Sequence, residues 1–255
     1  MIFLESKTKE ERMECFRKLF ERHIPCIVVC RNKKIYPEMI EVAKNYHVPI
    51  LRTSLITREF INLATVVMEN LAAPTIKIPG TMIDIKGMGV LIEGEPGIGK
   101  SEAAITLVMR GYALVSDDVT VLKRTGERTL IGYSPEVTKY HLELRGVGII
   151  HVPSLFGVGS VTDEKQLDLI VTLKKSDDME NIINRDISMA HKSRIILGVS
   201  IPHITIPVAP GRELANMIEV ATLNERLIRL GHDAAKELDI KLMERLAAKR
   251  KGKNV

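Results

Sequence analysis

The apolar and polar positions fall into two stretches of different rhythm. In the first, a charged segment from Lys9 to Arg22 reads as a helix, Pro25 to Cys30 as a strand, Glu38 to Tyr46 as a helix and Val48 to Arg52 as a strand. A helix from Arg58 to Leu71 follows, with Phe60, Leu63, Ala64, Val67 and Leu71 at helical spacing on one face. This is the pattern of a small α/β unit. Pro74, Pro79 and Gly80 in "LAAPTIKIPG" then interrupt the period, which puts a domain boundary near residue 72. The chain is expected to form two domains, residues 1–72 and 73–255.

In the second stretch the apolar runs are shorter. "TMIDI" and "GVLIE" surround the glycines of "KGMG" as the arms of a hairpin, and the second arm leads straight into Gly94. "YALVS", "VTVLK", "GVGIIHV", "DLIVTL" and "ITIPV" read as further short strands. The last forty-odd residues read as two helices punctuated by Gly231, with Met217, Ile218 and Ala221 on one apolar face. The fold class expected from this alternation is α/β, with no internal repeat.

Gly94, Glu95, Pro96, Gly97, Ile98, Gly99, Lys100 and Ser101 spell G-x-x-x-x-G-K-S between a predicted strand and a predicted helix. Glycines let successive backbone N–H groups turn inward around a phosphate, which then sits at the positive end of the helix. Lys100 is positioned to reach terminal phosphates, and the Ser101 hydroxyl to ligate Mg²⁺. Ala103, Ala104, Leu107 and Val108 give the following helix an apolar stripe, and Gly111 is placed to end it.

Asp117 and Asp118 follow the strand "YALVS", where a phosphate-loop protein needs a carboxylate for the metal or its water. One acid on the metal and its neighbour on a substrate hydroxyl would suit phosphoryl transfer. Neighbouring strand residues face opposite ways, so both reach one site only if the strand ends or twists there. A solvated turn is the plainer reading of two adjacent acids. Farther along, Glu143 and Arg145 in "LELRGVGII" would also suit an exposed salt bridge at a strand edge, and Pro210, Gly211 and Arg212 would also suit the start of a helix.

Composition narrows the class. The 255 residues are 45% hydrophobic and 27% charged, proportions of a globular protein with room for a sizeable core, and no apolar run approaches a membrane span. The first residues lack the order of a secretory signal, so the expected compartment is the cytoplasm. Cys15, Cys26 and Cys30 lack metal-ligand spacing and are expected to be buried free thiols. The net charge of +5 is spread along the chain, with an excess in the tail "KRKGKNV" that has no interleaved aromatics, so neither nucleic acid nor a membrane is expected as a partner.

Three blocks, "GVLIEGEPGIGKSEAAITLVMRGYALVSDD", "IGYSPEVTKYHLELRGVGIIHVPSLFGVGSV" and "ILGVSIPHITIPVAPGRELANMIEVATLNERL", together resemble the HPr kinase/phosphorylase family over nearly all of residues 76 to 240. "LELRGVGII" is the most specific of the matches. Upstream, "PCIVVCRN", "VPILRT" and "LAAPT" resemble the second half of that family's amino-terminal domain, so a shortened version of that domain is expected. The resemblance implies an enzyme that uses ATP and Mg²⁺ to phosphorylate a serine of the phosphocarrier protein HPr in carbon catabolite regulation, and that can reverse the reaction with inorganic phosphate. It implies a core related to phosphoenolpyruvate carboxykinase, carboxy-terminal helices and a homohexamer. By position, residues 94 to 101 would bind the nucleotide and Ser101 and Glu143 would hold magnesium. Lys100, Asp117, Asp118 and Arg185 would be catalytic, with the acid pair exchanging a proton with the serine, and Pro207 to Arg212 would serve the reverse reaction.

The chain departs from the family pattern at four places. Pro79 stands where the family has histidine, Pro96 where it has serine and Ala209 where it has arginine; an asparagine, Asn184, also precedes Arg185 where aspartate is usual. The losses at 79 and 209 bear on phosphorolysis and on recognition of HPr, whereas nucleotide binding is expected to survive. Two other readings fit the same motifs: a phosphate-loop kinase of a different protein or small hydroxyl compound, and a regulatory module that senses ATP without transferring phosphate.

Overall fold

A computed structural model describes residues 2–175, 192–209 and 211–251. The chain divides into two compact units, 1–72 and 73–255.

In the first unit, α1 (Ile2–Glu5) precedes α2 (Lys9–Phe20), β1 (Ile27–Val29), α3 (Pro37–Tyr46), β2 (Ile50–Arg52) and α4 (Thr57–Ala72). Thr8 starts α2 with a capping box: its hydroxyl accepts from the Glu11 N–H and the Glu11 carboxylate accepts from the Thr8 N–H. Pro37 opens α3, where a missing N–H costs nothing. The two strands pair in parallel, Ile27 opposite Ile50, and Phe16, Phe20, Val29, Met39, Val42 and Ala43 form the core. Arg12 and Glu38 tie α2 to α3 at 2.7 Å. That guanidinium holds the Glu38 carboxyl below the usual carboxylate range. The three cysteines are free but only half-buried, a correction to the expected burial: strands of three residues are too short to enclose both ends of "PCIVVC".

The second unit continues with β3 (Thr75–Pro79), β4 (Thr81–Ile85), β5 (Met88–Gly94), α5 (Lys100–Met109), β6 (Ala113–Ser116), β7 (Val119–Thr125) and β8 (Thr129–Tyr133). Then come β9 (His141–Leu144), β10 (Gly148–His151), α6 (Val152–Phe156), β11 (Glu164–Lys175), β12 (Lys192–Ile196), β13 (Val199–Val208), α7 (Leu214–Arg229) and α8 (Ala234–Lys251). Among the described residues one nine-stranded sheet runs β3-β7-β8-β11-β5-β4-β6, with β13 joined to β11 and β12 to β13. Lys86 and Gly87, both at positive φ, make the two-residue turn that joins β4 to β5.

The long strand β11 holds this sheet together. Glu164 to Gln166 pair with β8, whereas Leu167 to Leu173 run parallel to β5 and Ile170 to Lys175 parallel to β13. Its buried side chains alternate between two cores, Leu169, Val171 and Leu173 facing one and Leu167 and Ile170 the other. α5 and α7 cover the first core through Ala103, Ala104, Leu107, Val108, Ala215 and Ile218. At the end of α5, Arg110 pairs with Glu213 at 2.5 Å and Glu219 at 2.9 Å. Tyr112 also donates to Glu219, and burial followed by that carboxylate pushes its hydroxyl up to about 12. These bonds fix the start of α7 against the end of α5.

Candidate active site

Two bent strands run side by side and turn the same corner. β4 pairs with β6 and β3 pairs with β7, both antiparallel, with Met82 opposite Ser116 and Pro79 opposite Val119. Between these registers lie Gly80 on one strand and Asp117–Asp118 on the other. The Gly80 N–H donates to the Asp118 carbonyl at 2.8 Å, and the Gly80 carbonyl accepts from the Thr120 hydroxyl at 2.9 Å. A side chain at Gly80 would meet the Ile92 carbonyl at 2.8 Å, so the corner closes only around glycine.

The bend resolves the facing problem of two adjacent strand residues. The Val119 N–H folds back to the Asp117 carbonyl at 2.6 Å, and Asp118 takes φ 59°, a left-handed conformation that a short polar side chain tolerates. Asp117 turns inward and is only 4% exposed, while Asp118 is exposed at the cavity wall. A pair of solvated turn acids does not describe this arrangement.

Asp117 accepts hydrogen bonds from three separate segments. The Thr81 hydroxyl donates at 2.7 Å, the Ser101 hydroxyl at 3.2 Å and the Glu143 backbone N–H at 3.1 Å. Burial raises its pKa above the ordinary 3.8, Thr81 and the Glu143 amide pull it back, and the neighbouring Asp118 charge adds to the rise. The carboxylate therefore fixes the Ser101 hydroxyl at the first turn of α5 and ties β9 to the same point.

The loop from Gly94 to Lys100 forms the opposite wall. Gly97 and Gly99 take φ 81° and 106°, and α5 begins with no side-chain cap, so its first-turn amides have no side chain competing for them. The Lys100 ammonium donates to the Gly94 and Glu95 carbonyls, each at 3.1 Å. A methyl group on Gly97 would come within 2.7 Å of the Arg145 guanidinium, which places that cation directly over the loop. A methyl group on Gly99 would lie 3.1 Å from Leu214 at the start of α7. The segment leading into α7 thus reaches the loop as well.

Between the walls lies a cavity of about 300 Å³, lined by Pro79, the loop glycines, Lys100, Ser101, Glu102, Asp118, Glu143 and Arg145. Two cations and an uncapped helix start at one side suit a polyphosphate. Among the described residues no group of three or more His, Cys, Asp or Glu could hold a metal ion by itself. Ser101 and the Glu143 carboxylate offer a partial shell, which suits Mg²⁺ held jointly with phosphate oxygens.

Comparisons with known proteins place the chain in a family. Residues 70–242 match the HPr Serine kinase C-terminal domain and residues 1–68 match the HPr Serine kinase N terminus. An HPr kinase/phosphorylase of Caldicellulosiruptor bescii is 39% identical over 97% of this chain and 79% of its own length. One from Brevibacillus brevis is 42% identical over 91% of this chain and 74% of its own. The chain belongs to the HPr kinase/phosphorylase family. A solved structure, that of the Hpr(Ser) kinase/phosphatase from Coxiella burnetii, is 37% identical with a TM-score of 0.58, covering 64% of this chain and 98% of that one. The mixed α/β architecture is therefore that of amino- and carboxy-terminal HPr kinase domains ending in helices.

The residues singled out from the sequence separate in this family member's cavity. Gly94, Pro96, Gly97, Gly99, Lys100, Ser101, Asp118 and Glu143 line it, and Asp117 stands behind Ser101. Ile98 turns its side chain into the core and commits its N–H to the Glu95 carbonyl at 3.2 Å, so its amide is not a free phosphate donor. The Glu95 side chain points to solvent, 3.6 Å from Lys175. Arg185 and Pro210 lie outside the described residues. Arg145 does not pair with Glu143 as a strand-edge salt bridge would; it covers Gly97 instead. Sequence reasoning missed Thr81, an ordinary strand threonine until the corner brings it to Asp117.

Proposed function

We propose that the chain is a bifunctional HPr kinase/phosphorylase, which transfers the γ-phosphoryl group of ATP to a serine of HPr and can return it to inorganic phosphate. The observation that carries this reading is an exposed carboxylate, Asp118, on the wall opposite Lys100, with a second carboxylate immobilising Ser101 behind it. In this mechanism Asp118 accepts the proton of the incoming serine hydroxyl and gives it back in the reverse direction. Asp117 stays in place and holds the Ser101 hydroxyl. Lys100 and Arg145 stabilise charge on the phosphates, together with Arg185. Mg²⁺ would be held by Ser101 and Glu143 with phosphate oxygens, and it supplies charge neutralisation at the transferring group.

Pro79 lines the cavity and has no proton to exchange, so in this reading the relay in either direction falls to Asp118. Family membership supports the finer parts of the same reading: a phosphate-loop kinase core related to phosphoenolpyruvate carboxykinase in residues 73–255, an amino-terminal domain in residues 1–72, a cytoplasmic hexamer, and involvement of the segment from Pro207 to Arg212 in phosphorolysis. No helix among the described residues is long and apolar enough to cross a membrane.

The test is incubation of the protein with labelled ATP, Mg²⁺ and HPr. Serine-phosphorylated HPr, lost on chelation of the metal, is the expected result. Label on a different species in whole-cell extract, with HPr unlabelled, overturns the choice of acceptor; ATP binding with no labelled product overturns catalysis itself. Light scattering on the eluting protein checks the hexamer.

A further inference from the structure

The hairpin of β9 and β10 is a two-stranded ladder of its own, separate from the nine-stranded sheet. Its register sets His141 directly opposite His151. Leu142 and Ile150 turn to the core, so strand alternation puts both histidines on the outer face, where both are exposed. Directly opposed side chains on one face of an antiparallel pair are close enough to act together.

Each ring is held through Nδ1. His141 Nδ1 lies 2.8 Å from the Lys139 carbonyl oxygen. A carbonyl only accepts, so Nδ1 carries the proton and Nε2 keeps its lone pair. His151 Nδ1 lies 2.7 Å from the Ser154 hydroxyl, which can accept the Nδ1 proton in the same way. A hydrogen bond from the far nitrogen to an oxygen is what orients metal-bound histidines and fixes their tautomer.

The spacing of the rings fits one ion between them. Their centres are 5.1 Å apart and their planes meet at 52°, neither an offset stack nor an edge-to-face pair, so aromatic packing does not account for the arrangement. A metal about 2.0–2.1 Å from each Nε2 sits about 3.2 Å from each ring centre, and N–metal–N angles of about 90–109° then separate the centres by about 4.5–5.2 Å. The observed distance lies inside that interval. Lys139, the neighbouring cation, is already paired with Asp163 at 3.0 Å, which offsets its charge.

We propose that His141 and His151 together bind a divalent transition-metal ion, of which Zn²⁺ is the representative, through their Nε2 atoms. Among the described residues no group of three or more His, Cys, Asp or Glu could hold a metal ion, so water completes the shell and the ion exchanges with solvent. Imidazole nitrogen suits Zn²⁺, Ni²⁺ and Cu²⁺, whereas Mg²⁺ takes oxygen ligands, so this site is chemically distinct from Ser101 and Glu143 at the cavity. A bound ion pins β9 to β10 at the end of the ladder away from the turn. It thereby steadies the hairpin that carries Glu143 in β9 and Arg145 in its turn.

The experiment titrates Zn²⁺ alone into the full chain, without ATP, and reads binding heat and melting temperature. One ion per chain should bind and raise the melting temperature, because an ion held by the folded chain alone stabilises it. Ser154→Ala should weaken binding about tenfold, and His141→Gln and His151→Gln each by more than that, with metal-free melting temperatures unchanged at these exposed positions. His151→Cys, which returns a ligand atom without the ring, should bind Zn²⁺ more tightly than His151→Gln. His232→Gln, at an exposed histidine elsewhere in the unit, should bind as the wild type does. Mg²⁺ in about a hundredfold excess should leave Zn²⁺ in place. The proposal is overturned by the absence of saturable binding, by undiminished binding in both glutamine variants, or by a cysteine variant no better than glutamine. Displacement by Mg²⁺ would put the ion at Ser101 and Glu143 and overturns it equally. None of these readouts involves HPr, so the proposal and the kinase reading fail separately.

Discussion

The two walls of the cavity are made in different ways. One is a single run of chain from Gly94 to Ser101, shaped by its own glycines and by the start of α5. The other is assembled from three segments far apart in sequence: Pro79 to Thr81, Asp117 to Asp118, and Glu143 to Arg145. The first wall depends on local backbone conformation and the second on strand register. Damage to the first should therefore act on nucleotide handling, whereas damage to the second should spread to folding as well as catalysis.

Five substitutions sharpen that contrast. Lys100→Ala removes a cation from the local wall and should lower phosphorylation of HPr by about a thousandfold or more, since electrostatic stabilisation dominates phosphoryl transfer. Phosphorylation at an undiminished rate would end the proposed mechanism. Asp118→Asn should lower kcat by about 10²- to 10³-fold with KM for ATP nearly unchanged, as expected on losing a general base. If Asp117→Asn shows that kcat loss and Asp118→Asn does not, the roles within the pair are reversed.

Thr81→Val should affect folding more than binding. It leaves a buried carboxylate one donor short, a loss of about 1–3 kcal/mol, which calorimetry would read as a lower melting temperature. Arg145→Ala should raise KM for ATP by about tenfold with little change in melting, because the guanidinium covers the loop without supporting the core.

The smallest effect is one of pH. The pKa of Asp117 is raised in the folded chain, so between the ordinary value of 3.8 and its folded value the native state holds a proton that the unfolded chain has released. Stability from this group is therefore full below 3.8 and declines as pH rises through the folded value. Relative to Asp117→Asn, the wild-type chain should lose melting temperature as pH rises above 3.8. A parallel course for the two proteins would mean that the carboxylate is not desolvated.

Residue pairs explain which parts of this could be read in advance. The helix-spaced apolar positions of α2 to α4 and the period of two in β4 and β5 are local, and so is the glycine pattern of the phosphate loop; all are legible one window at a time. β3 was hidden because its prolines read as a break, yet Pro79 ends the strand, where a missing N–H interrupts little. β12 was hidden because a strand of five residues with four exposed positions carries no clear alternation, and β9 because its alternation, His-Leu-Glu-Leu, spans only four residues. Asp117 and Asp118 were visible as candidates, but their separate environments depend on a left-handed residue at a corner.

The sequence alone determined the chemistry available: a phosphate-binding loop, one lysine, a serine and two adjacent acids, because their order along the chain already fixes the local backbone that makes them work. Only the tertiary structure decided that Asp117 is buried against Thr81 and Ser101 while Asp118 meets the cavity, and that Arg145 covers Gly97. Those relations depend on strand pairings such as Met82 with Ser116 and Pro79 with Val119, which are set by the packing of the whole sheet and have no signature within any short window of residues.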